Sequence, residues 1–378
     1  MELVAYFKLM AQHAASDLFL SAGARPSLKV DGESHHIGAR RLTATQVRDM
    51  AYSVMNEKQR QEFESTLEMN LALNVDEVGR FRINVYQQRG DVAMVARYIT
   101  NRIPSIEQLH LPPILKDLVM EPRGLILVVG AANSGKSTAL AAMIDYRNTE
   151  STGHILTIEE PIEYLHEHKE SVVDQREIGL DTLSYGNALK NAMREAPDVI
   201  MIGEIRDSEV MRQAIAYAET GHLCLATLHA ANANQTLDRI LHFFVETMRA
   251  ELLLDLSLNL KAVISLRLLR DVDDKLVPAV EVLRATPHVA DLILKGEIHK
   301  LKAAMKLGMD QGMQTFDEAL YRLFVSGRIV YGDAIAAADS RTDLALRLRL
   351  EGLIPEELDK TSPSLDQFID KPPSLPDI

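Results

Sequence analysis

The residues with the clearest chemistry form one unbroken run, Gly130-Ala131-Ala132-Asn133-Ser134-Gly135-Lys136-Ser137-Thr138. It satisfies G-x-x-x-x-G-K-[ST] at every fixed position. Successive backbone N–H groups of such a loop form a concave nest for phosphate oxygens, and the helix that follows adds partial positive charge. Lys136 is placed to bridge the β- and γ-phosphates, and Ser137 to offer a hydroxyl to Mg²⁺. The implied cofactors are ATP and Mg²⁺. Two acidic segments follow, Ile158-Glu159-Glu160-Pro161-Ile162-Glu163 and Asp198–Asp207, each ending an apolar run. Glu204 stands where such a strand delivers a carboxylate to the metal's water shell. A second carboxylate must orient the attacking water, and either Glu163 or Glu159 can do so. His222 and His229 flank another apolar run, where an imidazole can sense the γ-phosphate or simply cap the strand. Arg80, Arg82 and Arg97 lie on strand-like segments. They either reach a neighbour's nucleotide, a role worth roughly 10³–10⁵ in turnover, or line a solvated face.

These groups need a scaffold, and the apolar periodicity supplies one. Leu125–Val129, His154–Ile158, Val199–Ile202 and Leu223–Thr227 are nearly continuous apolar runs, as in strands buried on both faces. Lys136–Asn148, Tyr185–Arg194 and Ser208–Thr220 have helical spacing between them. That alternation predicts an α/β unit with a parallel sheet over residues 114–287. Ahead of it, residues 1–98 read as a small α+β domain. Leu3–Ala14 is expected to be helical, Asp17–Ser21 and Ser27–Val30 to be strands, and Thr45–Glu64 to be one helix with Thr43 or Thr45 as N-cap. Arg80–Tyr86 alternates Phe81, Ile83 and Val85 with polar residues, the period of a half-buried strand. Residues 99–113 carry three prolines and no clear period, as in a linker. Residues 288–350 read as helical throughout, and 351–378 as a Pro-rich disordered tail or docking peptide.

Bulk properties narrow the function. The chain has 378 residues, 47% hydrophobic and 25% charged, as in ordinary globular proteins. A net charge of −13 with 5% aromatics and no Trp argues against a nucleic-acid partner. The single cysteine, Cys224, rules out an intramolecular disulfide or a Cys₄ zinc site. Neither a signal peptide nor an apolar run of about 18 residues is evident, so direct membrane insertion is not expected. The expected location is cytoplasmic, with any membrane contact made through a partner.

Taken together, these segments resemble the secretion-superfamily hexameric ATPases, and within them the type IV pilus retraction branch, PilT/PilU. The resemblance runs from Ser16 to about Asp339. Its carriers are SDLFLSAG, GRFRINVYQQRG, the phosphate loop, TIEEPIEY, APDVIMIGE with RD, AETGHLCLATLHA and GMQTFDEAL. It implies a PAS-like N-terminal domain, a RecA-like P-loop ATPase core and a helical C-terminal region. It also implies a homohexamer that couples ATP hydrolysis to domain motions on an inner-membrane platform protein. By this resemblance Glu163 is the general base and Glu204 the Walker B acid. His229 is the His-box residue, with His222 nearby, and the arginine fingers lie among Arg80, Arg82 and Arg97.

Position within the branch follows from three details. The absence of further cysteines excludes the zinc module of extension ATPases. Residues 288–297 read HVADLILKGE in place of the retraction run of PilT-type proteins, and the His-box and Asp-box segments are similar to the PilU type. That type is an accessory that depends on a PilT-type retraction ATPase. Asn133 replaces the usual glycine of the loop, and Asn tolerates positive φ better than other side chains. Glu160 replaces the usual Asp, and Leu266 stands where Gln is common. ATP binding is thus expected more firmly than vigorous hydrolysis, and the alternative is a regulatory ring subunit with weak hydrolysis of its own.

Overall fold

The computed structural model describes residues 2–30, 32–76, 78–100 and 102–354. The first unit comprises α1 (Glu2–Gln12), β1 (Asp17–Ser21), β2 (Ser27–Val30), β3 (Glu33–His36), α2 (Ala44–Ser53), α3 (Glu57–Thr66), β4 (Glu68–Val75), β5 (Gly79–Gln88) and β6 (Asp91–Ile99). Its sheet has the order β3-β2-β1-β6-β5-β4, with antiparallel pairing throughout. Phe81, Ile83 and Val85 of β5 are fully buried, as their alternation requires. Phe81 stacks on Phe7 of α1 with ring centroids 4.2 Å apart, which fixes that helix on the sheet.

The expected single helix over 45–64 is two helices. Thr43 caps α2 and Asn56 caps α3, each in a reciprocal box with the glutamine three residues on. The Asn56 side chain takes the N–H of Gln59, which offers the backbone an alternative to continuing α2. Strand β4 was not apparent from periodicity. It forms because β5 offers it an antiparallel edge and buries Met69 and Leu71.

Residues 102–113 are irregular but packed. Ile106 and Leu111 are buried beside α4 (Ile114–Val119) against the second sheet. That second unit comprises β7 (Gly124–Gly130), α5 (Lys136–Glu150), β8 (Gly153–Glu159), β9 (Ser171–Glu177), α6 (Tyr185–Ala192), β10 (Val199–Ile202), α7 (Ser208–Glu219), β11 (Leu223–Leu228), α8 (Ala233–His242), α9 (Arg249–Asn259), β12 (Leu260–Arg270) and β13 (Leu276–Arg284). The sheet order is β13-β12-β7-β11-β10-β8-β9, parallel except for the β12–β13 pair. Helices cover both faces and form two separate apolar cores. The four apolar runs read as buried strands are β7, β8, β10 and β11. The edge strands β9 and β13 and the interior strand β12 escaped that reading because polar residues interrupt them.

Among the described residues five α-helices follow: α10 (Pro287–Leu294), α11 (Leu301–Leu307), α12 (Phe316–Val325), α13 (Tyr331–Ala337) and α14 (Arg341–Leu350). Helices α10 and α11 join one face of the sheet. Helices α12 to α14 make their own core with Val277 and Ala279 of β13. Most of the tail expected over 351–378 lies outside the described residues. Among those described, no helix is long and apolar enough to cross a membrane.

Replacing Phe81 by Ala removes the ring that joins α1 to the sheet and leaves a cavity. A loss of about 3–5 kcal/mol is expected. Chemical denaturation followed through the N-terminal domain's tyrosines measures it, and a loss under 1 kcal/mol (about the surface-residue range) would mean that α1 does not depend on this contact.

Candidate nucleotide site

Parallel pairing decides which residues meet. Leu228 of β11 is in register with Val129 of β7, Ile202 of β10 with Ala226, and Ile158 of β8 with Ile202. The carboxyl ends of all four strands therefore share one edge of the sheet, and the chain leaves each end through a functional segment. These segments enclose a cavity of about 250 Å³, whose walls include Asn133, Lys136, Ser137, Glu159, Glu163, Glu204 and His229.

The loop after β7 turns through two left-handed residues, Asn133 at φ 60° and Gly135 at φ 88°. Asn133 thus takes the conformation for which asparagine is the best side-chain-bearing substitute for glycine. Gly135 precedes α5 without a side-chain cap, which leaves the first N–H groups of that helix turned toward the cavity. Lys136 donates from Nζ to the carbonyls of Gly130 and Ala131 at 3.0 and 2.7 Å. Its pKa is lowered by burial, while Glu204 and Glu163 act in the opposite sense. The Thr138 hydroxyl lies 2.9 Å from that of Tyr164, which ties the start of α5 to the acidic segment after β8. Ser134 Oγ is buried without a hydrogen-bond partner.

The carboxylates differ sharply in environment. Glu159 is 8% exposed, and its Oε1 accepts from Thr157 Oγ1 at 2.7 Å and Gln175 Nε2 at 3.1 Å. Burial pushes its pKa up to about 7, against the pull of those two hydrogen bonds. Glu163 is exposed on the cavity wall. Glu204 is engaged through both oxygens, Oε1 at 3.2 Å from His229 Nε2 and Oε2 at 2.8 Å from Arg206 Nε. The second arm of Arg206 donates to Glu160 Oε2, also at 2.8 Å. Sequence reasoning gave no role to Arg206 or Gln175. Arg206 had a signal, since it stands two residues after Glu204; Gln175 had none, because β9 was not foreseen.

Not every candidate converges within the chain. His222 and His229 bracket β11, and the seven residue steps between them span about 23 Å along an extended strand. His222 is therefore at the far end of the sheet from the phosphate loop, where its Nδ1 lies 3.1 Å from Thr220 Oγ1 and 3.2 Å from the Tyr217 carbonyl. The expectation that it binds the nucleotide is corrected for its own chain by this strand length. Arg80, Arg82 and Arg97 also lie away from the cavity wall. Arg97 pairs with Asp17 at 2.8 Å and stands opposite Arg82 in the β5–β6 ladder. Burial raises the pKa of Glu177 at the end of β9, while Arg82 and Arg80 act in the opposite sense.

The oxygen donors fit Mg²⁺. Ser137 and Glu204 line the same cavity, and such an ion is held mainly by phosphates and water with one or two protein ligands. Accordingly, no cluster of three or more His, Cys, Asp or Glu suited to a metal occurs among the described residues.

The sequence profile of a family described as "Type II/IV secretion system protein" matches residues 10–288. The chain is 53% identical to the type IV pilus ATPase PilU of Pseudomonas aeruginosa, over 93% of this chain and 92% of that one. It is 41% identical to PilT of the same organism, over 87% of this chain and 96% of that one. Among solved structures it is similar to the pilus retraction motor PilT with bound ADP, at 39% identity and a TM-score of 0.85, covering 91% of this chain and 99% of that one.

The buried acid makes a pH prediction. Glu159 holds its proton up to about pH 7 when folded and to 4.5 in its ordinary state. Between those values the folded chain binds the extra proton, so this group's contribution to stability is lost as pH rises. Glu159→Gln removes the dependence. Its advantage over the native chain should grow from pH 5 to pH 8, up to about 3 kcal/mol. Thermal unfolding across that range checks it, and a gap that does not change with pH places the Glu159 carboxyl in solvent.

Proposed function

The chain belongs to the type II/IV secretion system protein family, and on that premise we propose that it is an ATP-hydrolysing motor of the type IV pilus machinery that supports pilus retraction. The observation that carries this reading is the convergence of Lys136, Ser137, Glu163 and Glu204 on one cavity. The likeness to PilU and PilT along nearly the whole chain supports the same conclusion.

In the mechanism, the loop N–H groups and the start of α5 seat the phosphates, and Lys136 turns its ammonium from the loop carbonyls to the β- and γ-oxygens. Ser137 and Glu204 would hold Mg²⁺, which when bound would supply neutralising charge to the phosphates. Glu163 accepts the proton of the water whose oxygen bonds to the γ-phosphorus. The bond to the β,γ-bridging oxygen breaks, and ADP and phosphate leave. Glu159 is less suited to this, because its burial favours the protonated form. His229, touching Glu204, reads whether the γ-phosphate is in place. Arginines among Arg80, Arg82 and Arg97 of the neighbouring subunit complete the site in a homohexamer. Domain rotations around that ring act on the inner-membrane platform protein from the cytoplasmic side, in concert with a PilT-type retraction ATPase.

One observation favours a second reading, a regulatory ring subunit with weak hydrolysis of its own. Arg206 bridges Glu204 to Glu160, so the acid that must hold the metal's water is already paired. On this reading Lys136→Ala abolishes nucleotide binding yet leaves assistance to the PilT-type motor intact.

Two measurements separate the readings. If the chain is a motor, Glu163→Gln keeps nucleotide affinity and lowers turnover roughly 10²-fold, as loss of a general base does. Phosphate release and titration with a fluorescent nucleotide measure both, and native turnover in the variant removes Glu163 from the chemistry. Glu160→Asp draws the carboxylate back by one methylene and loosens Arg206. Intrinsic turnover should then rise about threefold to tenfold, since about 1 kcal/mol separates such paired and released states. Unchanged turnover would show that the bridge does not restrain Glu204.

A further inference from the structure

The segment GMQTFDEAL, residues 312–320, lies outside the phosphate-binding cavity, yet Gln314, Phe316 and Asp317 within it bind to β12, β13 and the segment before α14. Gln314 exchanges backbone hydrogen bonds with Val282 of β13 at 2.8 and 3.0 Å. Phe316 lies under the guanidinium of Arg267, 3.8 Å from cation to ring centroid. Asp317 accepts the backbone N–H of Asp339 at 2.8 Å.

Arg267 is the centre of that junction. It belongs to β12, whose neighbouring residue Leu266 is in register with Gly130 at the start of the phosphate loop. From this position Arg267 donates to the Ala337 carbonyl at 2.6 Å, to Asp339 Oδ1 at 2.5 Å and to the Ala231 carbonyl at 3.4 Å. Asp339, with a side chain 10% exposed, is also held by Lys302 of α11 at 2.7 Å. Ala231 lies two residues after His229, which contacts Glu204. A second grip lies just beyond it. Ala233 N–H donates to Glu281 Oε1 at 2.8 Å, and Ser265 Oγ donates to the same oxygen at 3.1 Å. Glu281 is 1% exposed. The short segment that leaves His229 is thus held twice from the β12–β13 pair, once by a cation and once by a buried carboxyl.

We propose that Arg267 is a positioning residue for the nucleotide site: it ties the loop carrying His229 to helices α12 to α14, so that nucleotide binding at Glu204 and the seating of those helices are coupled. The proposal rests on the nucleotide-site reading above. A guanidinium is planar, and its donors keep a fixed fork, so it cannot follow the Ala231 carbonyl without disturbing Ala337 and Asp339. The pair with Asp339 is largely shielded from water, which makes its arrangement discrete rather than graded. Because the coupling is thermodynamic, it runs both ways, and contacts made on α12 to α14 alter nucleotide affinity by the same factor.

Amide hydrogen exchange of the full chain, with and without Mg²⁺ and ADP or a slowly hydrolysed ATP analogue, tests this. In the native protein, nucleotide should slow exchange in residues 229–233 and also in 331–340, the latter by about fivefold or more. Arg267→Met should keep the first response and reduce the second to within about twofold. Asp339→Asn, which leaves Arg267 on Phe316, should have the same effect and serves where the methionine variant does not fold. A merely structural role for Arg267 would speed exchange in 331–340 equally with and without nucleotide. The proposal is overturned if native 331–340 ignores the nucleotide, or if both variants still transmit it in full. Turnover in the same preparation tests the motor reading separately, and a chain that transmits binding without hydrolysing leaves the coupling standing.

Discussion

Everything in the site depends on the parallel register of β7, β11, β10 and β8. These strands are buried on both faces, so their N–H and C=O groups have no solvent to turn to and must pair with one another. Pairing in this register places four carboxyl ends on one edge. The phosphate loop, the acidic segment after β8, Glu204 and His229 then meet although they are distant in sequence. A slip of one residue in any of these strands would turn its side chains over and move its functional segment off the cavity.

Within the cavity, burial sorts groups that composition treats as equivalent. Glu159 and Glu163 are the same residue type four positions apart, but one is enclosed by Thr157 and Gln175 and the other is exposed. The low-dielectric position favours the proton on Glu159. Glu204 lies between Arg206 and His229, and the longer side chain of Glu160 helps to hold Arg206. The departures Asn133 and Glu160 therefore have different weights. Asn133 occupies a left-handed position that asparagine accepts, whereas Glu160 takes part in the electrostatic network of the site.

The β12–β13 pair extends the same sheet beyond its parallel part. One side of this addition abuts the phosphate loop, and the other receives α12 to α14. The C-terminal helices are consequently part of the ATPase core's surroundings rather than an appendage. Arg267 touches both, through Ala231 on one side and Phe316, Ala337 and Asp339 on the other.

The local features were legible in the sequence. The phosphate loop works through consecutive residues, and continuous apolar runs mark strands buried on both faces, so both could be read directly. The N-cap of α2 was narrowed to Thr43 or Thr45, of which the structure uses Thr43, although the competing cap at Asn56 was not legible. Edge strands β4, β9 and β13 were hidden, because an edge strand carries a mixed pattern that only its partner makes regular. By itself, then, the sequence determined that the chain cradles phosphates at the end of a buried strand. The tertiary structure alone decided that His229 and not His222 stands beside Glu204, that Glu159 is enclosed and Glu163 open, and that Arg206 and Arg267 have partners. Those outcomes depend on strand length, burial and charge neighbours, which arise from residues far apart in the chain.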